Sequence, residues 1–201
     1  FGNKKVVTTN AGTSALHLAL HLLKKPKPHW NEDVFQGVAF VSHNWPGIED
    51  GDEVLATPLT CTASNWPIVA NNLKIKWVDI DPTTLNMDLE DLERKMTPKT
   101  KAIMGVHWGG YPLDLDEIRN IRARFRKEHG WAPALIEDGA HSIGTKYKGK
   151  YLGNHGNFVM NSLQAIKHIT SVDGGLLYCP HDELYERAKL LRWYGIDRSP
   201  K

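Results

Sequence analysis

The order of segments predicts an α/β domain whose sheet is mostly parallel and carries helices on both faces. Three observations predict it. Short apolar runs alternate with longer helical patterns, Gly, Asp and Pro punctuate the boundaries, and no repeat or low-complexity tract interrupts the series. Strands that alternate with helices need crossover connections, and these place helices over the faces of a parallel sheet.

Each element has its own signal. Residues 15–23 are apolar apart from His17 and His21, which predicts a helix buried over most of its circumference. Gly12-Thr13-Ser14 stands directly before it. Val54-Leu55-Ala56 follows a turn at Gly51-Asp52 and reads as a short buried strand. Residues 74–80 alternate polar and apolar before a break at Asp81-Pro82, so they read as a second strand. Residues 89–96 suit a short charged helix, 102–106 a buried strand, and 115–129 a basic amphipathic helix. Ala134-Leu135-Ile136 forms a strand that ends in Glu137-Asp138, and 147–152 reads as a tight hairpin. Phe158-Val159-Met160 and Leu176-Leu177-Tyr178 are two further strands, and 184–193 is the last helix. Residues 24–50, with Pro26, Pro28, Trp30, Trp45 and Pro46, read as a surface excursion: an interface on account of its tryptophans, or a loop packed on itself.

Composition excludes several function classes. The 201 residues carry 25 Lys+Arg against 23 Asp+Glu, a formal charge of +2, without the basic excess of a dedicated nucleic-acid binder. No apolar run approaches the ~18 residues of a membrane helix, and no signal-peptide core opens the chain. Cys61 and Cys179 are far apart and in no Cys-x-x-Cys pair, so neither a disulfide scaffold nor a zinc module is indicated, and a cytoplasmic location is the expectation. The chain opens on Phe1 and closes on Lys201 without an end signal, which suggests an interior piece of a longer polypeptide.

In a parallel sheet ligands gather at the carboxyl ends of the strands. That rule brings four segments toward one pocket: Gly12–Ser14, 58–64, Asp138 and 162–167. Asn10-Ala11-Gly12-Thr13-Ser14 could bind an anion through unpaired backbone N–H groups, although a Thr or Ser there is more often only a helix cap. Asp138 could pair with a buried cation or a protonated ring nitrogen, or cap a following helix. His141 could stack, ligate or sit hydrogen-bonded in the core. Lys167, beside an apolar strand and the turn Asp173-Gly174-Gly175, could be desolvated into an amine nucleophile, although a lone lysine is nearly always a solvated surface group.

Taken together and in order, these segments resemble the DegT/DnrJ/EryC1/StrS family of pyridoxal-phosphate (PLP) sugar aminotransferases. The residues that carry the resemblance begin with Asn10-Ala11-Gly12-Thr13-Ser14-Ala15-Leu16, Gly51-Asp52-Glu53-Val54, Pro58-Leu59-Thr60-Cys61-Thr62-Ala63-Ser64 and Val78-Asp79-Ile80-Asp81. They continue through Lys101-Ala102-Ile103, Val106-His107, Glu137-Asp138-Gly139-Ala140-His141-Ser142-Ile143-Gly144, Ser162-Leu163-Gln164-Ala165-Ile166-Lys167 and Asp173-Gly174-Gly175.

The resemblance implies the aspartate-aminotransferase (type I) fold and a partial large domain over residues 1–201, with the 24–50 excursion inside it. The family's N-terminal segment and small C-terminal domain lie outside this sequence. It further implies that Lys167 is the Schiff-base lysine and proton shuttle, and that Asp138 pairs with the pyridinium nitrogen. Thr13, Ser14 and Ser162 contact the phosphate beside the Gly12 backbone, His141 lies near the ring, and Gln164 falls within the lysine motif. The implied reaction moves an amino group from an amino acid, usually glutamate in the family, to a nucleotide-linked keto sugar, through pyridoxamine phosphate. The implied assembly is a homodimer in which the partner completes the site.

Two departures stand out. Cys61 replaces an aromatic that usually stacks on the cofactor, and 24–50 replaces a short turn. A dehydratase branch of the same fold has His in place of the lysine; here Lys167 holds that place with His168 beside it. A non-catalytic binding member is the other alternative. Gly144-Thr145-Lys146-Tyr147-Lys148-Gly149-Lys150-Tyr151 nearly spells a P-loop, but Tyr151 stands where Ser or Thr would hold Mg²⁺. His17 and His21 are one helical turn apart without the Glu of a zinc-protease motif, and no metal site is expected. No Gly-x-Gly-x-x-Gly dinucleotide fingerprint is present.

Overall fold

The computed structural model describes residues 2–24 and 45–197. Its main sheet has seven strands: β1 (Val6–Thr9), β2 (Glu53–Ala56), β3 (Lys74–Trp77), β4 (Thr100–Val106), β5 (Ala134–Asp138), β8 (Phe158–Ser162) and β9 (Gly175–Tyr178). They lie in the order β1-β9-β8-β5-β4-β2-β3, and every pairing is parallel except those of β9 with β1 and β8. The remaining strands, β6 (Lys146–Tyr147) and β7 (Lys150–Tyr151), form the expected hairpin.

Period-2 alternation distributes the core to two sides. Val54, Ala56, Ala102, Met104, Ala134, Ile136, Phe158 and Met160 pack on one face with helices α1 (Gly12–Leu22), α2 (Thr62–Ala70) and α5 (Asp182–Leu191). Leu55, Ile103 and Leu135, the intervening residues, pack on the other with α3 (Leu89–Lys95) and α4 (Leu115–His129). The same alternation sends the neighbouring carboxylates of Glu137 and Asp138 to opposite faces.

Helix α4 has the bounds its amphipathic pattern predicts. It buries Leu115, Ile118, Ile121 and Phe125, Asp114 caps its start by accepting from the N–H groups of Asp116 and Glu117, and Gly130 ends it in the left-handed region at φ 80°. Other elements depart from the sequence reading. Strand β3 stops at Trp77, and Ile80 makes only an isolated bridge to Met87. Helix α1 starts at Gly12, three residues early, because Thr13 and Ser14 join its first turn. Helix α5 covers 182–191.

Strand β1 and helix α2 lie outside the expected elements altogether. β1 is an edge strand of four β-branched residues. Pro67 inside α2 reads as a helix breaker, yet the helix continues past it to Ala70. Of the 24–50 excursion, residues 25–44, including Pro26, Pro28 and Trp30, lie outside the described residues. Trp45 belongs to the core: it is 8 % exposed and meets Trp131 edge-on at 5.4 Å, while the Ile48 N–H bonds to the Leu23 carbonyl. Of the two alternatives for the excursion, the interface does not hold for Trp45, which packs on the domain's own core.

Candidate active site

Strand register aligns the carboxyl ends that matter. Gly175 of β9 pairs with both Thr9 of β1 and Ser162 of β8, and Asp138 of β5 pairs with Met160 and Val106. Thr9 leads into α1, so the start of that helix lands beside Ser162. Gly12 permits this approach: a Cβ there would lie 3.0 Å from Met160 Sδ and 3.1 Å from Ser162 Cβ. Ser162 is buried, and its Oγ accepts the Gln164 N–H at 3.3 Å.

The α1 start is open. Its N-cap is Ala11, which has no side-chain oxygen, and no acidic residue stands in the first turn. The first intrahelical bond runs from Ala15 N–H to the Ala11 carbonyl, so the N–H groups of Gly12, Thr13 and Ser14 precede the ladder. Thr13 and Ser14 do not act as caps, and among the described residues their half-buried hydroxyls make no hydrogen bond. These donors and the positive end of the helix dipole suit a phosphate.

Asp138 is 4 % exposed and holds two hydrogen bonds. Ser64 Oγ donates to its Oδ2 at 2.6 Å and the Ala140 N–H to its Oδ1 at 2.9 Å. No helix follows it, so the capping alternative falls away. On the opposite face Glu137, fully buried, accepts from His107 Nε2 at 2.9 Å and from Asn157 Nδ2 at 2.7 Å. His107 Nδ1 accepts the Leu113 N–H, which fixes the neutral tautomer with its proton on Nε2, and the His107 backbone N–H bonds to the Asp138 carbonyl. The strand end that carries Asp138 is thus clamped from both faces.

Lys167 follows a tight turn closed by its own N–H to the Gln164 carbonyl. It is half-buried and joins no ion pair among the described residues, whereas His168 beside it is exposed. Gln164 turns its Oε1 back to accept the Ile166 N–H, so its side-chain carbonyl serves the turn. Burial lowers the pKa of the half-buried His141, the charges of Lys167 and His168 lower it further, and Asp138 opposes them. Trp108 meets that ring edge-on at 5.5 Å. Cys61 is exposed at the N-cap of α2, one turn before Ser64.

Strand register therefore sets the Gly12 start of α1 against Ser162, with Asp138 at the end of the neighbouring parallel strand and Lys167 five residues beyond Ser162. A groove of about 1170 Å³ runs elsewhere, between α1, α5 and 192–197, and meets this edge through Thr9, Asn10 and Ser14. Sequence reasoning missed Ser64, His107, Glu137 and Asn157 as individual site residues. Their partners are 20 to 74 positions away, and only the sheet register connects them.

The residues present fit pyridoxal phosphate. The open helix start and Ser162 suit its phosphate, Gly12 lets that helix start close on Ser162, and a buried carboxylate and a lysine follow neighbouring strands on the same sheet edge.

Residues 37–201 match the DegT/DnrJ/EryC1/StrS aminotransferase family. Among solved structures, AtS13 from Actinomadura melliaura is 51 % identical with a TM-score of 0.85 over 99 % of this chain and 48 % of that one. The sugar aminotransferase CalS13 from Micromonospora echinospora is 44 % identical with a TM-score of 0.83, over 100 % of this chain and 48 % of that one. A GDP-4-keto-6-deoxymannose-3-dehydratase with a trapped PLP-glutamate geminal diamine is 29 % identical at a TM-score of 0.79, over 97 % of this chain and 45 % of that one. The chain spans less than half the length of each of these proteins.

Proposed function

Because this chain belongs to the DegT/DnrJ/EryC1/StrS aminotransferase family, we propose that it forms most of the cofactor-binding large domain of a PLP-dependent sugar aminotransferase. The proposed reaction transfers an amino group from an amino acid, with glutamate as the expected donor, to a nucleotide-linked keto sugar. One observation supports the reading: β5 and β8 run parallel side by side. The buried Asp138 at the end of one, and Ser162 at the end of the other with Lys167 five residues on, therefore stand on the same edge as an uncapped helix start.

When bound, the cofactor supplies an electron sink that makes the α-proton of an amino acid removable. The hydroxyls of Thr13, Ser14 and Ser162, with the first N–H groups of α1, would hold its phosphate and fix the ring's position. Asp138 would hold a proton at the ring nitrogen, its carboxylate kept in place by Ser64 and Ala140. Lys167 Nζ would hold the cofactor covalently and, once released, move the proton between the reacting carbons. His141, its pKa lowered chiefly by burial, would flank the ring without adding a second positive charge. Cys61 brings no ring to stack, and Trp108 packs edge-on against His141.

Lys167, half-buried where the dehydratase branch has His, supports amino transfer over dehydration. The reading includes a cytoplasmic homodimer whose partner completes the site. Apolar groups left exposed on α2 (Trp66, Val69) and beside Lys167 (Ile166, Ile169) support that part.

The test is spectroscopic. Full-length protein loaded with PLP should show a visible absorbance band that glutamate discharges, and Lys167→Ala should abolish the band and turnover. Wild type without a band would favour a non-catalytic role, and a band unchanged in Lys167→Ala would overturn the assignment of the lysine.

A further inference from the structure

Asp138 is served by a chain of hydroxyls that begins near the surface. Ser64 Oγ lies 2.6 Å from Asp138 Oδ2 and 2.6 Å from Thr60 Oγ1. Ser64 has one proton, and Asp138 accepts it, so Thr60 must donate to Ser64. Ser64 is 1 % exposed, whereas Thr60 is half-buried beside the exposed Cys61. Neither hydroxyl is used to cap α2, whose N-cap, Cys61, makes no side-chain cap bond. Both donors point toward the acid, and hydrogen bonds aligned in this way polarise one another in a buried setting.

We propose that Ser64, backed by Thr60, is a positioning residue for the acid that serves the cofactor's ring nitrogen; this rests on the function proposed above. Ser64 on Oδ2 and the Ala140 N–H on Oδ1 fix the plane of the carboxylate. Each oxygen keeps a second lone pair free for the ring N–H. Without Ser64 the carboxylate keeps one anchor and can rotate about its Cβ–Cγ bond.

The test uses PLP itself and full-length protein. Fluorescence titration of the apo form measures the dissociation constant, and the visible spectrum of the loaded form measures the electronic state of the ring. Ser64→Ala should weaken PLP binding by about tenfold and alter the spectrum, and Ser64→Thr should restore both. Thr60→Val should weaken binding by about threefold, and should do nothing further when Ser64 is already Ala. A purely structural role for Ser64 would lower thermal stability and leave the spectrum unchanged. If wild type loads normally while Ser64→Ala keeps its binding and spectrum, the proposal fails and the assigned function stands. If Thr60→Val acts equally with and without Ser64, the relay fails in the same way. Should Ser64→Ala not fold, Thr60→Val at its half-buried site decides alone, and unchanged binding and spectrum overturn the proposal. Wild type that takes up no PLP overturns both readings together.

Discussion

Gly175→Ala tests how closely the sheet holds the anion-binding helix start. Gly175 opens β9 between Thr9 and Ser162, and a Cβ there would fall 2.4 Å from the Ala11 carbonyl oxygen and 2.6 Å from Thr9 Oγ1. The first contact is about 1 Å short of ordinary van der Waals distance. Neither neighbour can yield easily, because the Ala11 carbonyl accepts both the Thr9 hydroxyl and the first intrahelical N–H of α1. The substitution must therefore move the start of α1 or the end of β1, at a cost of about 2–3 kcal/mol. The shift should also weaken PLP binding.

Gly105→Ala is the matched control. Its Cβ would come as close, 2.5 Å, but to Leu113 Cδ1, the far end of a flexible side chain. We expect a cost of about 1 kcal/mol or less there, with PLP affinity unchanged. Urea denaturation of the apo proteins and PLP titration check both. Equal costs for the two variants, or a Gly175→Ala protein with native stability and affinity, would refute the reasoning.

Two further outcomes follow from buried groups. Glu137→Ala should cost about 2–6 kcal/mol, because it strands the buried His107 and Asn157 donors. Glu137→Gln should cost less than half as much, since the Asn157 amide can turn over to accept; urea melts compare them. Burial, the largest cause in each case, lowers the pKa of His17, His21, His141 and His181 from 6.5. The unfolded chain then binds more protons below about pH 6.5, so stability is complete above that value and declines as pH falls through it. Urea midpoints should fall between about pH 8 and about pH 5.5, and a midpoint that rises on acidification would contradict the sign.

Much of the fold was legible because its signals are local. The 115–129 pattern carries its own amphipathic period, and the runs at 54–56, 102–106 and 134–136 are short, apolar and bounded by turns. Helix α2 was hidden by Pro67, because propensity marks an interior proline as a break while tertiary packing of Ile68 holds the helix together. The tryptophan at 45 suggested an interface by residue type alone, and only tertiary packing puts it against Trp131. At the site, the ordered motifs singled out Asp138, Lys167 and the start of α1 as candidates, because each lies in a short contiguous run. The supporting groups were not legible, because the Ser64–Asp138 bond and the Glu137 pair with His107 form only when separate segments reach one edge.

The central claim is that Lys167 and Asp138 serve one cofactor ring. Full-length protein loaded with PLP, reduced with borohydride and digested for peptide mass mapping tests the lysine half most directly. The account predicts a phosphopyridoxyl label on the peptide that carries Lys167, and a weaker label in Asp138→Asn. A label on any other lysine, or none, would contradict it.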